Sequence, residues 1–171
     1  LEKNISLGVR TDNITLFNLG LGRKAGRIKF TSDQDTVNHV VLNDAENVID
    51  VEISVLDELL LPPPSVIKID VEGFEWEVLN GALLTLQNEK LQAIIIELNG
   101  TGIRYGFNDD DIDSLLKGYG FKPFTYDPFK RELISLDSYT FHNTIYLRNA
   151  LEVLVKLKKG NSVQLSNGSI I

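Results

Sequence analysis

Between residues 65 and 97 the chain runs strand former, helix former, strand former without a break, and this stretch restricts the fold most tightly. "SVIKIDVEG" (65–73) is rich in β-branched residues, and "EWEVLNGALLTLQNE" (75–89) sets Trp76, Leu79, Leu83 and Leu86 on one helical stripe with Val78 and Ala82 beside it. "LQAIIIELNG" (91–100) is the most continuous apolar run, the pattern of a strand covered on both faces. Strand, helix and strand in that order predict a parallel sheet with helices packed on it.

The flanking sequence extends the pattern. "NITLFNLGLG" (13–22) is a β-rich run ending in glycines, and "GRIKFTSD" (26–33) is a short strand bounded by turn formers. A polar loop around 34–47 leads into "NVIDVEISVLDELL" (47–60), a strand and one helical turn stopped by the prolines at 62–64. "NDDDIDSLLKGYGF" (108–121) reads as a helix with an acidic first turn that ends at glycine. Residues 121–136 read as paired strands, 141–149 as another strand, and 151–160 as a short helix or strand with a basic end. One domain over 1–160 and a polar tail over 161–171 follow, with no internal repeat.

Charge and composition narrow the function. A formal net charge of −7 disfavours a nucleic-acid or anionic-membrane surface, because neutralising phosphates requires clustered Lys and Arg. With no cysteine in the chain, disulfides, thiolate zinc sites and thiol nucleophiles are excluded. No run is long and apolar enough to span a bilayer and no signal peptide opens the chain, so a cytoplasmic protein is the expectation. The chain contains no Met and opens on "LEKNISL", which reads as the end of an amphipathic helix without its N-cap and hence as a later part of a longer polypeptide.

The acids define a candidate site. Ligands of such sheets bind outside the carboxyl ends of the strands. Asp70 and Glu72 stand where the strand 65–71 runs out, and Glu97 closes "AIIIE" in the same way. On adjacent parallel strands Asp70 and Glu97 face one pocket, and an acid ending an aliphatic run carries a desolvation penalty unless a polar crevice receives it. Glu75 and Glu77 complement the positive start of the following helix, and Trp76 belongs to the apolar stripe. His142 is read as a solvated loop histidine.

The segments "VLDELL…VIKIDVEGFEWEVLNGALLTL…LQAIIIELNG", with "LEKNISL", "GRKAGRIKF" and "HNTIYLRN", make the sequence resemble the FkbM-type family of S-adenosylmethionine-dependent methyltransferases up to about residue 159. The resemblance implies a Rossmann-like α/β fold, mostly parallel with antiparallel strands at the C-terminal end. It aligns 14–19 as the third strand, 65–71 as the fourth, 91–97 as the fifth, and 121–136 with 141–148 as the terminal antiparallel pair. It implies O-methylation of a hydroxyl on a sugar, polyketide or similar small molecule, with S-adenosylmethionine as cofactor. Asp70 is the first candidate to orient or deprotonate that hydroxyl, with Glu97 or Glu72 sharing the role, and Glu75 matches a family motif position. A divalent metal held by these oxygens is a secondary idea without a ligand motif.

The same resemblance points to a gap. Members open with a strand, a glycine-rich turn, a helix and a second strand ending in an acid; these 171 residues contain no such first β-α-β unit. "LGLG" (19–22) reads instead as a loop touching the adenine, which makes Gly20, Leu21 and Asp70 the cofactor-side candidates. The fourth strand is then expected to have an open edge, against which 14–19 or 48–55 pairs directly or through which two chains form a homodimer. A second reading is a non-catalytic remnant or assembly domain of the same fold. A third, a Mg-dependent phosphate-handling enzyme, lacks a phosphate cradle.

Overall fold

The computed structural model describes residues 13–32, 39–41, 47–165, 168 and 170. The opening segment read as a helix end, and most of the polar loop after residue 33, lie outside the described residues. The remainder forms two sheets. The first has the order β1-β4-β2-β3, from β1 (Gly20–Leu21), β2 (Gly26–Thr31), β3 (Val40–Val41) and β4 (Val48–Ser54). The second has the order β5-β6-β9-β7-β8, from β5 (Val66–Ile69), β6 (Ala93–Glu97), β7 (Lys122–Asp127), β8 (Glu132–Ser135) and β9 (Asn143–Leu147). Among the described residues four α-helices accompany them: α1 (Glu75–Asn80), α2 (Leu83–Gln87), α3 (Asp109–Gly118) and α4 (Ala150–Lys159).

The mixed α/β class is as expected, but the sheets are not mostly parallel. Only β1 with β4 and β5 with β6 run parallel, whereas β2 opposes β3 and β4, β9 opposes β6 and β7, and β7 opposes β8. The cause is the connections. A parallel pair needs a long crossover, usually helical, and helices supply one between β5 and β6. Among the described residues the parallel partners β1 and β4 are joined through β2 and β3, which run antiparallel beside β4 and each other, and β7 turns straight back into β8.

Residues 14–19 are not a strand. Their apolar side chains Ile14, Leu16 and Phe17 are 40–48% exposed, and the ladder starts only at Gly20, opposite Ile53. An extended segment becomes a strand only where a partner supplies hydrogen bonds. Neither 14–19 nor 48–55 pairs with β5, which among the described residues is the edge of its sheet. Direct pairing of that edge with either segment is thus overturned.

The stripe over 75–89 is split between α1 and α2 at Gly81–Ala82. A Cβ at Gly81 would stand 2.1 Å from the carbonyl oxygen of Gly22, so only glycine lets these two backbones touch. After the break α2 is capped from elsewhere: Asp57 accepts the Leu84 and Thr85 N–H groups at 2.7 and 2.9 Å and the Thr85 hydroxyl at 2.6 Å. The cap also ties the turn after β4 to the second sheet. Asp57→Ala is expected to lower stability by about 1–2 kcal/mol, as loss of a helix cap does, measurable as a reduced urea midpoint at unchanged slope.

One face of β5 and β6 builds the main core. Ile69, Ile94 and Ile96 pack with Leu79, Leu86, Leu116 and Tyr146, while Trp76 and Leu83 lie partly buried against the cluster. The other face of the sheet holds Ala93, Phe124 and Leu147, so the "AIIIE" strand is covered on both faces as its sequence predicts. Helix α3 starts with the reciprocal cap of Asn108 and Asp111, at 3.0 and 3.3 Å, and 151–160 resolves as a helix. At the end of β9, Arg148 donates to the carbonyls of Leu86, Asn88, Leu91 and Tyr119 at 2.6–3.2 Å, with its guanidinium 4.3 Å from the Phe121 ring centre. Among the described residues no helix is long and apolar enough to cross a membrane.

Candidate active site

β5 and β6 run parallel in a register that sets Ile69 against Ile96. The next residues, Asp70 and Glu97, therefore leave the two strands level with each other, at the carboxyl ends and about 4.8 Å apart along the ladder. Because side chains alternate, both belong to the face opposite buried Ile69 and Ile96. Asp70 is exposed and pairs with the ammonium of Lys68, two residues back on the same face, which holds its carboxylate along β5. Glu97 is half-buried and stands across from Asn143, the first residue of β9. The loop before β9 is fastened here through the Leu98 N–H, which donates to the His142 carbonyl at 3.3 Å. His142 is exposed, with its ring edge-on to the exposed Phe141 at 5.7 Å.

Beyond Asp70 the chain makes a tight left-handed bend. Glu72 has φ 52° and Gly73 φ 98°. A non-glycine residue held this way costs about 1–2 kcal/mol, so its surroundings must fix it. Two contacts do so. Gly73 lies against the loop after β6, where a Cβ would come within 2.8 Å of the Thr101 carbonyl oxygen. From the other side, the Val71 and Gly73 N–H groups donate to Glu75 Oε1 at 3.3 and 3.2 Å.

Glu75 opens α1 as an acid of its first turn, as expected, but its side chain is buried, only 4% exposed. Burial pushes its pKa above the usual carboxylate value; the N–H groups of Glu75, Gly73 and Val71 oppose that shift, and the charge of Asp109 adds to it. Glu77 is set apart, paired with Arg23 at 3.0 Å. Asp109, also buried, does for the second loop what Glu75 does for the first, accepting the Gly100 N–H at 2.9 Å. An aromatic chain of Phe74, Tyr105, Phe107 and Trp76 backs both loops with ring centres 5.3–6.1 Å apart, and the Tyr105 hydroxyl reaches the Val40 carbonyl in the first sheet at 2.9 Å. Sequence reasoning passed over Asp109 because "NDDD" already has a sufficient explanation in the helix dipole. The signal was its position, an acid opening a helix just after a glycine-bearing loop.

Gly20 and Leu21, expected in a loop, form strand β1 instead, because β4 pairs with them in parallel. They wall a cleft of about 230 Å³ whose other side is Ile67, Ile69 and Val71 of the β5 segment. The walls are aliphatic and Lys68 is the charged residue among them. Among the described residues, no group of three or more His, Asp or Glu side chains is placed to share a metal ion.

No curated protein matches the chain. The structure of methyltransferase FkbM from Methylobacillus flagellatus KT is similar, with a TM-score of 0.51 and 16% sequence identity, over 85% of this chain and 32% of that one. At that identity the likeness speaks for the fold alone, and the chain spans about a third of that protein's length. The family description "Methyltransferase FkbM domain" matches residues 1–123, which include β5, the Asp70–Glu75 loop, β6 and Glu97. With well over half of its length matched, the chain belongs to the FkbM methyltransferase domain family.

Proposed function

We propose that this domain serves an S-adenosylmethionine-dependent O-methyltransferase acting on a hydroxyl of a small molecule or sugar. Asp70 orients the acceptor hydroxyl or takes its proton, and Glu97 or Glu72 shares the task. The observation that supports this most is the level exit of Asp70 and Glu97 from adjacent parallel strands, where ligands of such sheets bind. The cofactor supplies a sulfonium-bound methyl group that needs no covalent help from the protein. What remains is placement and proton removal. Placement requires an acceptor held about 3–3.5 Å from the reacting carbon, and proton removal requires a carboxylate within hydrogen-bond reach. Glu97 is half-buried at its strand end, and Asp70, exposed and held by Lys68, is the more open of the two to an acceptor.

Gly20 and Leu21 offer an apolar wall to a cofactor ring rather than an anchor. Titration calorimetry of the 171-residue chain against S-adenosylmethionine and its demethylated product is therefore expected to show no measurable binding. Tight binding would relocate the cofactor seat into the Gly20–Leu21 cleft and the Asp70 loop. Absence of binding and of methyl transfer in the full encoded protein would favour the assembly-domain reading instead.

A further inference from the structure

We propose that Glu75 is a positioning residue: its buried carboxylate fixes the loop leaving β5, and through that loop it sets where Asp70 stands relative to Glu97. The second half of this inference rests on the role given to Asp70 above. The loop has two consecutive left-handed residues, Glu72 and Gly73, and such a bend turns successive N–H groups toward one point. Glu75 Oε1 occupies that point, receiving the Val71 and Gly73 N–H groups. Without it the buried Gly73 N–H and the part-buried Val71 N–H would lose this acceptor, and the left-handed bend would lose its inner support.

A helix-start acid acting only through the dipole would face solvent and leave the upstream amides alone. Glu75 does neither. The neighbouring loop repeats the device, with Asp109 at the first position of α3 receiving the Gly100 N–H. The two loops then bear on each other where Gly73 meets Thr101, so the exits of β5 and β6 are fixed jointly. The charged and titratable groups that act on Glu75 are Asp109 on α3 and Tyr105 on the turn Thr101–Tyr105. Backbone N–H groups, those of Val71 and Gly73, are what hold the carboxylate.

The test combines amide hydrogen exchange with methyl-transfer kinetics on the full encoded protein. In Glu75→Ala the Val71 and Gly73 amides are expected to exchange about tenfold faster or more, while Leu79 and Ile94 in the core keep their protection. Glu75→Gln, which retains the acceptor oxygen, is expected to stay close to the parent. Turnover should fall about 100-fold in Glu75→Ala with little change in the acceptor KM, and recover in Glu75→Gln, because the loss is one of geometry. Should Glu75→Ala fail to fold, Glu75→Asp keeps the charge, shortens the arm, and is expected to show the same two losses. Unchanged exchange at Val71 and Gly73 would overturn the proposal. Fast exchange with full turnover would overturn its link to Asp70. Full turnover in Asp70→Asn, with the exchange result intact, would sink the reading of Asp70 and leave Glu75 as the holder of the loop alone.

Discussion

Asp70→Asn is expected to reduce methyl transfer by the full encoded protein by about 10²–10⁴-fold, the range over which a positioned general base acts, without loss of folding. The amide keeps the shape of the side chain and can still accept a hydrogen bond from Lys68, but it cannot take a proton. Since Asp70 is exposed at the end of an edge strand, the substitution buries nothing and leaves no core contact unmade. The check is turnover at saturating acceptor, beside a far-ultraviolet spectrum and an unfolding curve that match the parent. If turnover is unchanged, the role passes to Glu97, and Glu97→Gln is the next variant to measure.

The largest expected effect on stability is at Arg148. Its guanidinium gathers four carbonyl oxygens, from the end of α2 (Leu86, Asn88), the approach to β6 (Leu91) and the turn after α3 (Tyr119), and covers the face of buried Phe121. These carbonyls belong to three segments that share no ladder, so one side chain closes the amino-terminal end of the sheet. Arg148→Ala removes the charged donor from all four, with the Asn88 carbonyl keeping the Leu91 N–H at 3.0 Å, and a loss of about 3 kcal/mol is expected, since bonds to a charged group are worth more than neutral ones and orphaned acceptors add to the loss. For a domain of this size that corresponds to a fall in Tm of about 6–12 °C by calorimetry. Arg148→Lys should recover little, because an ammonium cannot reach four acceptors spread around a planar fork.

Much of this arrangement was legible in the sequence and some was not, for identifiable reasons. β5, β6 and the helix between them were readable because an aliphatic run and a stripe at helical spacing each admit one element. The level placement of Asp70 and Glu97 followed from that reading, since both end a strand of the same sheet. The break at Gly81 was not readable, because the stripe continues through it; the reason for the break is the Gly22 backbone, distant in sequence. Residues 14–19 look like a strand by composition, yet a strand also needs a neighbour, and periodicity carries no information about neighbours. Glu75 was legible in part: it does stand at a helix start, but only the left-handed bend before it reveals the amides it also serves. Arg148 gave no signal at all, since its four partners are backbone atoms and no residue type marks them.

The alternation along β5 bears on how such a site can change over time. Ile67 and Ile69 belong to the core face, while Lys68 and Asp70 occupy the other. An insertion or deletion of one residue between Ser65 and Asp70 would exchange the faces, driving a charged pair into the main core and turning two isoleucines outward. The same applies to Glu97, which directly follows buried Ile96. Substitutions can therefore alter the identity of these acids at little cost to the core, whereas a one-residue length change in either strand disturbs the acids and the core together.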